Sequence, residues 1–402
     1  MFKCPVVKIL ACPSVPEAFY VVSGSKVLLK QSASEEFTVC AGHPEGKKWS
    51  SVAALSGDEK FLAVCDCEKN LYLYKIVEAN NFELQSVPMH LAKTATSLKF
   101  TDFPAKWTIL ISDKFGDVLR FQVDEEFDRW AKESQKDSKS LSIHTKGKRN
   151  ATEVTEEETV EETEESGSAS SEAHHCTIIG HISMVTDLQI LPISDFEGGL
   201  IVTSDRDEKV RLTRADRPEL IHSFGLIHKE FIGTLTTCEA TKSVYSAGGD
   251  SFIAEWQVEG NKLILRSKIE LEKEITGVIE EIKINEKGNE LFVHVDKFGL
   301  LCYNKNNSEN VWNLSEKIEI PALTAFDVVS EKFYAASWST ETSAVGLSFK
   351  NCGEIKNLEC FDEISEAEGR EIVEMLSKGK LKKDVERMDW KQKKHANQKP
   401  RD

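Results

Sequence analysis

Short β-type segments recur through most of the chain with a regular rhythm. Ser51-Val-Ala-Ala-Leu55, Phe61-Leu-Ala-Val-Cys65 and Leu71-Tyr-Leu-Tyr-Lys-Ile76 are each rich in aliphatic and aromatic residues. Turn-forming stretches, Ser56–Lys60 and Cys67–Asn70, separate them, as expected for successive antiparallel strands. The same strand–turn–strand pattern returns at 95–123, 183–213, 231–257, 280–304 and 323–349, with a weaker copy at 5–41. A unit this short cannot bury both faces of its own sheet, so it must stack on neighbours. The chain has 402 residues. Setting aside one insertion and the tail leaves about 310, which at ~40–45 residues per blade makes about seven blades. The expected fold is therefore all-β, a seven-bladed WD40-type β-propeller over 1–360, each blade a four-stranded antiparallel sheet. An array of β-sandwiches gives similar strand spacing, and the motifs below favour the propeller.

Two stretches break the rhythm. Within 124–173, residues 151–172 hold nine Glu and no Lys or Arg. Such a segment cannot bury enough apolar surface to offset its ordering entropy, so 124–173 reads as a disordered acidic insertion. From 361 to 402 strand character is lost. Glu366–Lys378 has helical spacing, with Ile372, Val373, Met375 and Leu376 on one side, and the chain then turns basic, with ten Lys/Arg against four Asp/Glu over 376–402.

The formal net charge is −16, from 51 Lys+Arg against 67 Asp+Glu. Phosphate contacts come from Lys and Arg, so this balance argues against a free-standing nucleic-acid binder while leaving room for a local basic patch. Residues 151–172 carry −9 and residues 376–402 carry +6, so the remainder is itself acidic at −13. No apolar run approaches the ~20 residues that span a bilayer, and Met1–Leu10 is a poor signal peptide. The ten cysteines are scattered, with no Cys-x-x-Cys and no zinc spacing. They read as reduced core thiols. No Gly-x-Gly-x-x-Gly follows a strand, and there is no Walker loop or His-Glu-x-x-His, so no cofactor or metal is expected. Gly248-Gly249 reads as a positive-φ turn beside a blade aspartate.

Gly180-His181 precedes a strand, and Asp207 lies 26 residues after the histidine. In WD-type blades a His, a Ser or Thr, a turn Asp and a Trp form a buried hydrogen-bond relay, which lets the aspartate lie inside with its acceptors satisfied. His181, Ser204 and Asp207 fit that pattern, with Thr213 at the Trp position. In the next unit His228, Asp250 and Trp256 fit, with Ala247 at the Ser position. Both copies are thus read as degenerate and structural. The sharper alternative, a catalytic His–Asp pair, lacks a nucleophile in an elbow-type motif.

Ser204-Asp-Arg-Asp-Glu-Lys-Val-Arg211 is the densest charged segment in the regular body, and strand alternation puts Lys209 and Arg211 on one face. Two readings stay open on composition: a solvated strand, or a protein contact in which Arg pairs with carboxylates. The blocks Ser112–Val118, Gly180–Asp187, Thr203–Arg211, His228–Phe231 and Gly248–Asp250 together resemble the WD-repeat, non-catalytic subunit of the tRNA (guanine-N7)-methyltransferase. The resemblance covers roughly 112–123 and 180–256; the flanking units match only as generic propeller sequence.

That resemblance implies a propeller that does no chemistry. It binds, stabilises and orients a separate S-adenosylmethionine-dependent catalytic subunit forming N7-methylguanosine in the tRNA variable loop, in a one-to-one heterodimer. Lys209 and Arg211 match the family's basic contacts to that subunit, and His228, Lys229 and Glu230 lie in a neighbouring matched motif. RNA is then held mainly through the partner. The tail lysines Lys382, Lys383, Lys391, Lys393 and Lys394 have three open readings: a solvated terminus, a nuclear-import signal or an RNA-phosphate arm. With Lys146–Arg149 they point to the nucleus, the cytoplasm remaining open. A generic WD adaptor, such as a ubiquitin-ligase receptor or chromatin scaffold, shares the fold and is the competing function.

Overall fold

The computed structural model describes residues 2–12, 18–31, 36–43, 49–123, 127–144, 176–306, 310–320, 322–329, 332–339, 344–349 and 361–381. Among them, seven antiparallel sheets succeed one another along the chain, over 6–42, 50–90, 95–180, 185–225, 232–270, 279–319 and 323–349. Each is a meander whose first strand is innermost. These first strands are Val6–Ala11, Ser50–Leu55, Ala95–Thr101, Val185–Leu191, Ile232–Cys238, Ile279–Ile284 and Leu323–Val329. They neighbour one another in that order, and the first also packs on the last, which closes the ring. The chain is a WD40-type β-propeller.

Burial follows from the stacking. Second strands lie inside the ring with both faces covered, so Phe61–Asp66, Leu200–Asp205 and Ser243–Gly248 are buried along their whole length. These strands read as unbroken apolar runs with small hydroxyl residues, not as alternating patterns. The outer strand Lys262–Glu270 has only one covered face and is largely exposed.

The six charged side chains Lys8, Lys99, Asp187, Glu281, Lys283 and Asp327 sit on first strands. Lys8 pairs with Glu281 at 2.6 Å and Lys283 with Asp327 at 3.1 Å. The Lys8–Glu281 pair joins the first and sixth sheets, which are not ring neighbours, so these charges meet across the central channel. Burial raises the Glu281 carboxyl, but Lys8 and Lys283 outweigh it and hold it down at about 2.

Two departures from expectation have clear causes. The fourth strand of the third sheet is Cys176–Gly180, paired with Asp117–Gln122, so the acidic insertion interrupts one blade between its third and fourth strands. Within the stretch expected to be disordered, Phe127–His144 is an α-helix. Its first turn is apolar: Phe127, Trp130 and Ala131 are buried in the core shared by the second and third sheets. Ser134 Oγ accepts from the His90 amide and Gln135 Nε2 donates to the Pro88 carbonyl, so the helix caps the edge of the second sheet. The acidic run 151–172 lies outside the described residues.

At the other end, Glu363–Ile364 pairs with Phe2–Lys3. Ser365 and Glu368 form a capping box that starts the helix Glu366–Leu376. Gly369 is required there, since a Cβ would lie 2.2 Å from the Trp338 ring. The segment then crosses the channel mouth: Ser377 Oγ donates to Glu280 at 3.0 Å and Lys378 Nζ to the Thr186 carbonyl at 3.4 Å. Glu280 and Thr186 stand near the starts of the sixth and fourth first strands. The basic tail thus departs from the ring end where the innermost strands begin. Lys382, Lys383, Lys391, Lys393 and Lys394 lie outside the described residues.

Candidate partner-binding site

The relay residues decide what the charged segment of the fourth sheet can do. In the fifth sheet His228 Nδ1 lies 2.9 Å from Asp250 and its Nε2 lies 2.8 Å from Ser246 Oγ. Trp256 Nε1 donates to the same Ser246 oxygen at 2.8 Å. Asp250 also accepts the Lys229 and Glu230 amides. This relay is complete, so Ala247 is not a degenerate replacement for the serine. Ser246 fills that role one residue earlier, while Ala247 faces the hydrophobic core shared with the sixth sheet. Ser246, His228 and Asp250 reproduce the hydrogen-bond order of a hydrolase triad. Ser246 is fully buried under Trp256, however, where no substrate reaches it.

In the fourth sheet the histidine finds different partners from those expected. His181 Nε2 lies 2.8 Å from Thr203 Oγ1, and Nδ1 lies 3.2 Å from Asp205. Thr203 and Asp205 are two apart and therefore share one side of the strand. Ser204 points the other way and bonds Thr186 Oγ1 at 2.9 Å. Asp207 is not the relay carboxylate; it lies in the turn, and its backbone N–H donates to Asp205 Oδ1. Burial raises both relay carboxyls, but the His181 bond at Asp205 and the His228 bond at Asp250, with backbone N–H donors, more than offset it and hold both below the usual range.

Thr213 does stand at the Trp256 position, and Arg211 fills the space the indole would occupy. Its Nε donates to Thr213 Oγ1 at 3.0 Å, and its terminal nitrogens donate to the Gly180 and Pro218 carbonyls at 3.1 and 3.2 Å. Arg211 is only 4% exposed, so the expectation that it projects with Lys209 as a surface cation is corrected. The same holds for His228, whose ring is committed to the relay. The Gly248-Gly249 expectation changes as well. Neither residue has a positive φ; a Cβ on Gly248 would lie 2.2 Å from the Phe231 carbonyl, so the pair is needed for close approach.

The surface that remains is nonetheless coherent. Asp207, Glu208 and Lys209 face Leu226 and His228 across an open concavity between the fourth and fifth sheets. Lys229 and Glu230 are exposed on the adjoining loop. Leu226 is 67% exposed at this concavity, and Phe224 is exposed on the outer strand that leads to it. A leucine and a phenylalanine left in solvent beside a charged turn are what a protein interface needs at its centre. Among the described residues, no group of three His, Cys, Asp or Glu is placed to hold a metal.

A family model described as "tRNA methyltransferase TRM82 WD40 domain" matches residues 25–367. The chain belongs to the TRM82 WD40 family. Among curated members, it is 29% identical over 222 residues to the "tRNA (guanine-N(7)-)-methyltransferase non-catalytic subunit TRM82" of Eremothecium gossypii, covering 54% of this chain and 38% of that protein. It is 30% identical over 223 residues to the TRM82 protein of Coccidioides immitis, covering 51% and 39%. It is 30% identical over 156 residues to the "non-catalytic subunit wuho" of Drosophila willistoni, covering 36% of each. The matched stretches thus span well under half the length of these TRM82 relatives.

Proposed function

We propose that this chain is a non-catalytic subunit that binds, stabilises and orients the catalytic subunit of a tRNA (guanine-N7)-methyltransferase, as a heterodimer. The observation that carries the reading is the edge between the fourth and fifth sheets. There Lys209 and the exposed Leu226 line one concavity, with Lys229 and Glu230 exposed on the next loop and Phe224 exposed on the outer strand leading to it. An apolar centre with a charged rim suits one specific protein partner. Membership of the TRM82 family supports the identity of that partner. Arg211 and His228 serve the site indirectly, Arg211 by tying the strand after the turn to Gly180 and Pro218, and His228 by holding the 228–230 loop through Asp250. Activation requires that the propeller bind the partner's competent conformation more tightly than its other states. RNA then enters mainly through the partner, and the basic runs act in nuclear import.

Co-purification tests the reading. Leu226→Asp and Lys209→Glu, each on the full chain, should abolish or strongly reduce capture of the catalytic subunit at moderate salt while the propeller stays folded. Cells lacking the protein should lose tRNA N7-methylguanosine. Undiminished methylation, or capture of a ubiquitin-ligase adaptor in place of a methyltransferase, would reject it.

A further inference from the structure

Each of the seven first strands carries a β-bulge directly after its opening residue. A bulge leaves one residue unpaired and re-aims its side chain. The bulged positions, one per sheet, therefore ring the channel at the end where the innermost strands begin. In four sheets the residue there is a hydroxyl that bonds the second strand of its own sheet. Ser51 donates to the Cys65 carbonyl at 3.1 Å and Thr324 to the Ala336 carbonyl at 3.2 Å. Thr96 meets Ser112 Oγ and Thr186 meets Ser204 Oγ, each at 2.9 Å.

The first, fifth and sixth sheets depart from this pattern, with Val7, Gly233 and Glu280 at the bulge. All three meet the C-terminal segment that crosses the channel mouth. Val7 is buried in one cluster with Ile372 of the helix Glu366–Leu376, and Met375 and Leu376 pack on the same cluster. Glu280 accepts the Ser377 hydroxyl on one oxygen and the Lys378 amide on the other. Burial raises the Glu280 carboxyl, and these two donors offset part of that rise. At Gly233 a Cβ would already lie 3.4 Å from Cβ and Cγ of Lys378, so a side chain as large as threonine would press on the lysine stem. Lys378 Nζ then reaches the carbonyl of Thr186, the bulge of the fourth sheet. The segment thus runs as a strap over the bulges of the first, sixth, fifth and fourth sheets. The sheets whose bulge lacks a hydroxyl are the ones whose bulged residue is fitted to it.

We infer that this strap is a latch that positions the partner-binding loops, with Glu280 and Gly233 as the residues that hold it. The loop 228–231 runs directly into Ile232 and Gly233, against which Lys378 lies. Thr186 Oγ1 donates to the Ile232 carbonyl, which ties the entry of the fourth sheet to the same point. The other end of the strap is rooted on the first and seventh sheets through Ile372 and Gly369. The rim that presents Leu226 and Lys229 is therefore braced from the far side of the ring. The inference rests on the proposed function only for what those loops bind; the bracing is a property of this chain alone.

Amide hydrogen exchange on the full chain tests it, alongside capture of the catalytic subunit. Glu280→Thr installs the residue that three other sheets carry at this bulge, so the propeller should fold with its melting temperature little changed. Exchange at 377–381 should rise about tenfold or more, since two hydrogen bonds to a charged group are lost. Exchange at 228–233 should rise with it, while Thr108–Asp113 in the third sheet keeps its wild-type protection. Capture should weaken about twofold to thirtyfold. Gly233→Thr should act in the same direction through the other contact, and Glu280→Gln, which keeps one acceptor oxygen, should recover part of each effect. Wild-type exchange at 377–381 in both threonine variants would overturn the latch. Faster exchange there with 228–233 unchanged would overturn the positioning role. If the unaltered chain captures no methyltransferase, the proposed function fails, and exchange at 228–233 decides this inference by itself.

Discussion

The fourth and fifth sheets solve one problem with different parts. Each must bury a histidine and an aspartate at the end of the ring where the loops meet. In the fifth, the hydroxyl that receives the histidine is fixed from the far side by Trp256. In the fourth, Thr213 leaves that space, and the Arg211 guanidinium enters it from the neighbouring strand position to bind Thr213 and two carbonyls. An indole brings one donor and a large apolar body. A guanidinium brings more donors and a charge, which burial disfavours: the Arg211 pKa is lowered by desolvation. The comparison shows that a charged residue inside a conspicuous basic segment is not thereby a surface residue.

Arg211→Glu breaks the comparison most severely. It would place a carboxylate against the Gly180 and Pro218 carbonyls, with the Thr213 hydroxyl in place of a cation to offset its charge. Loss of about 4 kcal/mol or more is expected, because a buried charge is left uncompensated. Denaturant unfolding should read it directly, and a stable Arg211→Glu propeller would disprove the internal role.

Arg211→Ala should cost about 2–3 kcal/mol, from lost hydrogen bonds and the space vacated. Adding Thr213→Trp should then recover much of it, since the double variant reproduces the Ala254 and Trp256 pair of the fifth sheet, where Ala254 pairs with Ser246 as Arg211 does with Thr203. A double variant less stable than Arg211→Ala would show that the two sheets differ in more than this pair.

Acid probes what the sheets share. Asp205 and Asp250 are both held below their ordinary range, so each contributes stability that is fully present above the unfolded carboxylate value of about 3.9. That contribution is lost as pH falls through the folded values. Asp205→Asn should therefore narrow the fall in melting temperature between pH 5 and pH 3. An identical fall in the variant would remove Asp205 from the account.

How much of this was legible in sequence follows from strand alternation. The ring itself was visible, because each unit repeats its apolar runs and turns at a nearly constant interval. The relay was visible only as a histidine and an aspartate at about the right spacing. Choosing Ser204 over Thr203, or Ala247 over Ser246, is a one-residue slip, and in a strand that exchanges the two faces. Asp205 was missed because Asp207 lies in the same acidic turn and composition does not separate them. The helix Phe127–His144 was hidden because the buried contacts seen among its described side chains, Phe127, Trp130 and Ala131, are few and stand beside a long acidic run. The exposed Leu226 had no reading in sequence, since exposure is a property of the neighbouring loops.

Lys209→Glu is the smallest and most discriminating change. Lys209 lies two residues from Arg211, yet among the described residues its ammonium bonds the Asp207 carbonyl alone, at 3.4 Å, and its structural bond is made by the backbone N–H to Asp205, which substitution keeps. Stability should change by no more than about 0.5 kcal/mol, as for surface positions generally. The two reversals, made in the same segment with the same chemistry, should thus differ by several kcal/mol in unfolding. If Lys209→Glu unfolds the fourth sheet as Arg211→Glu does, the division between a cation that holds the strand after the turn and one that the turn presents fails. If it does not, any loss of partner capture in Lys209→Glu belongs to the interface and not to the fold.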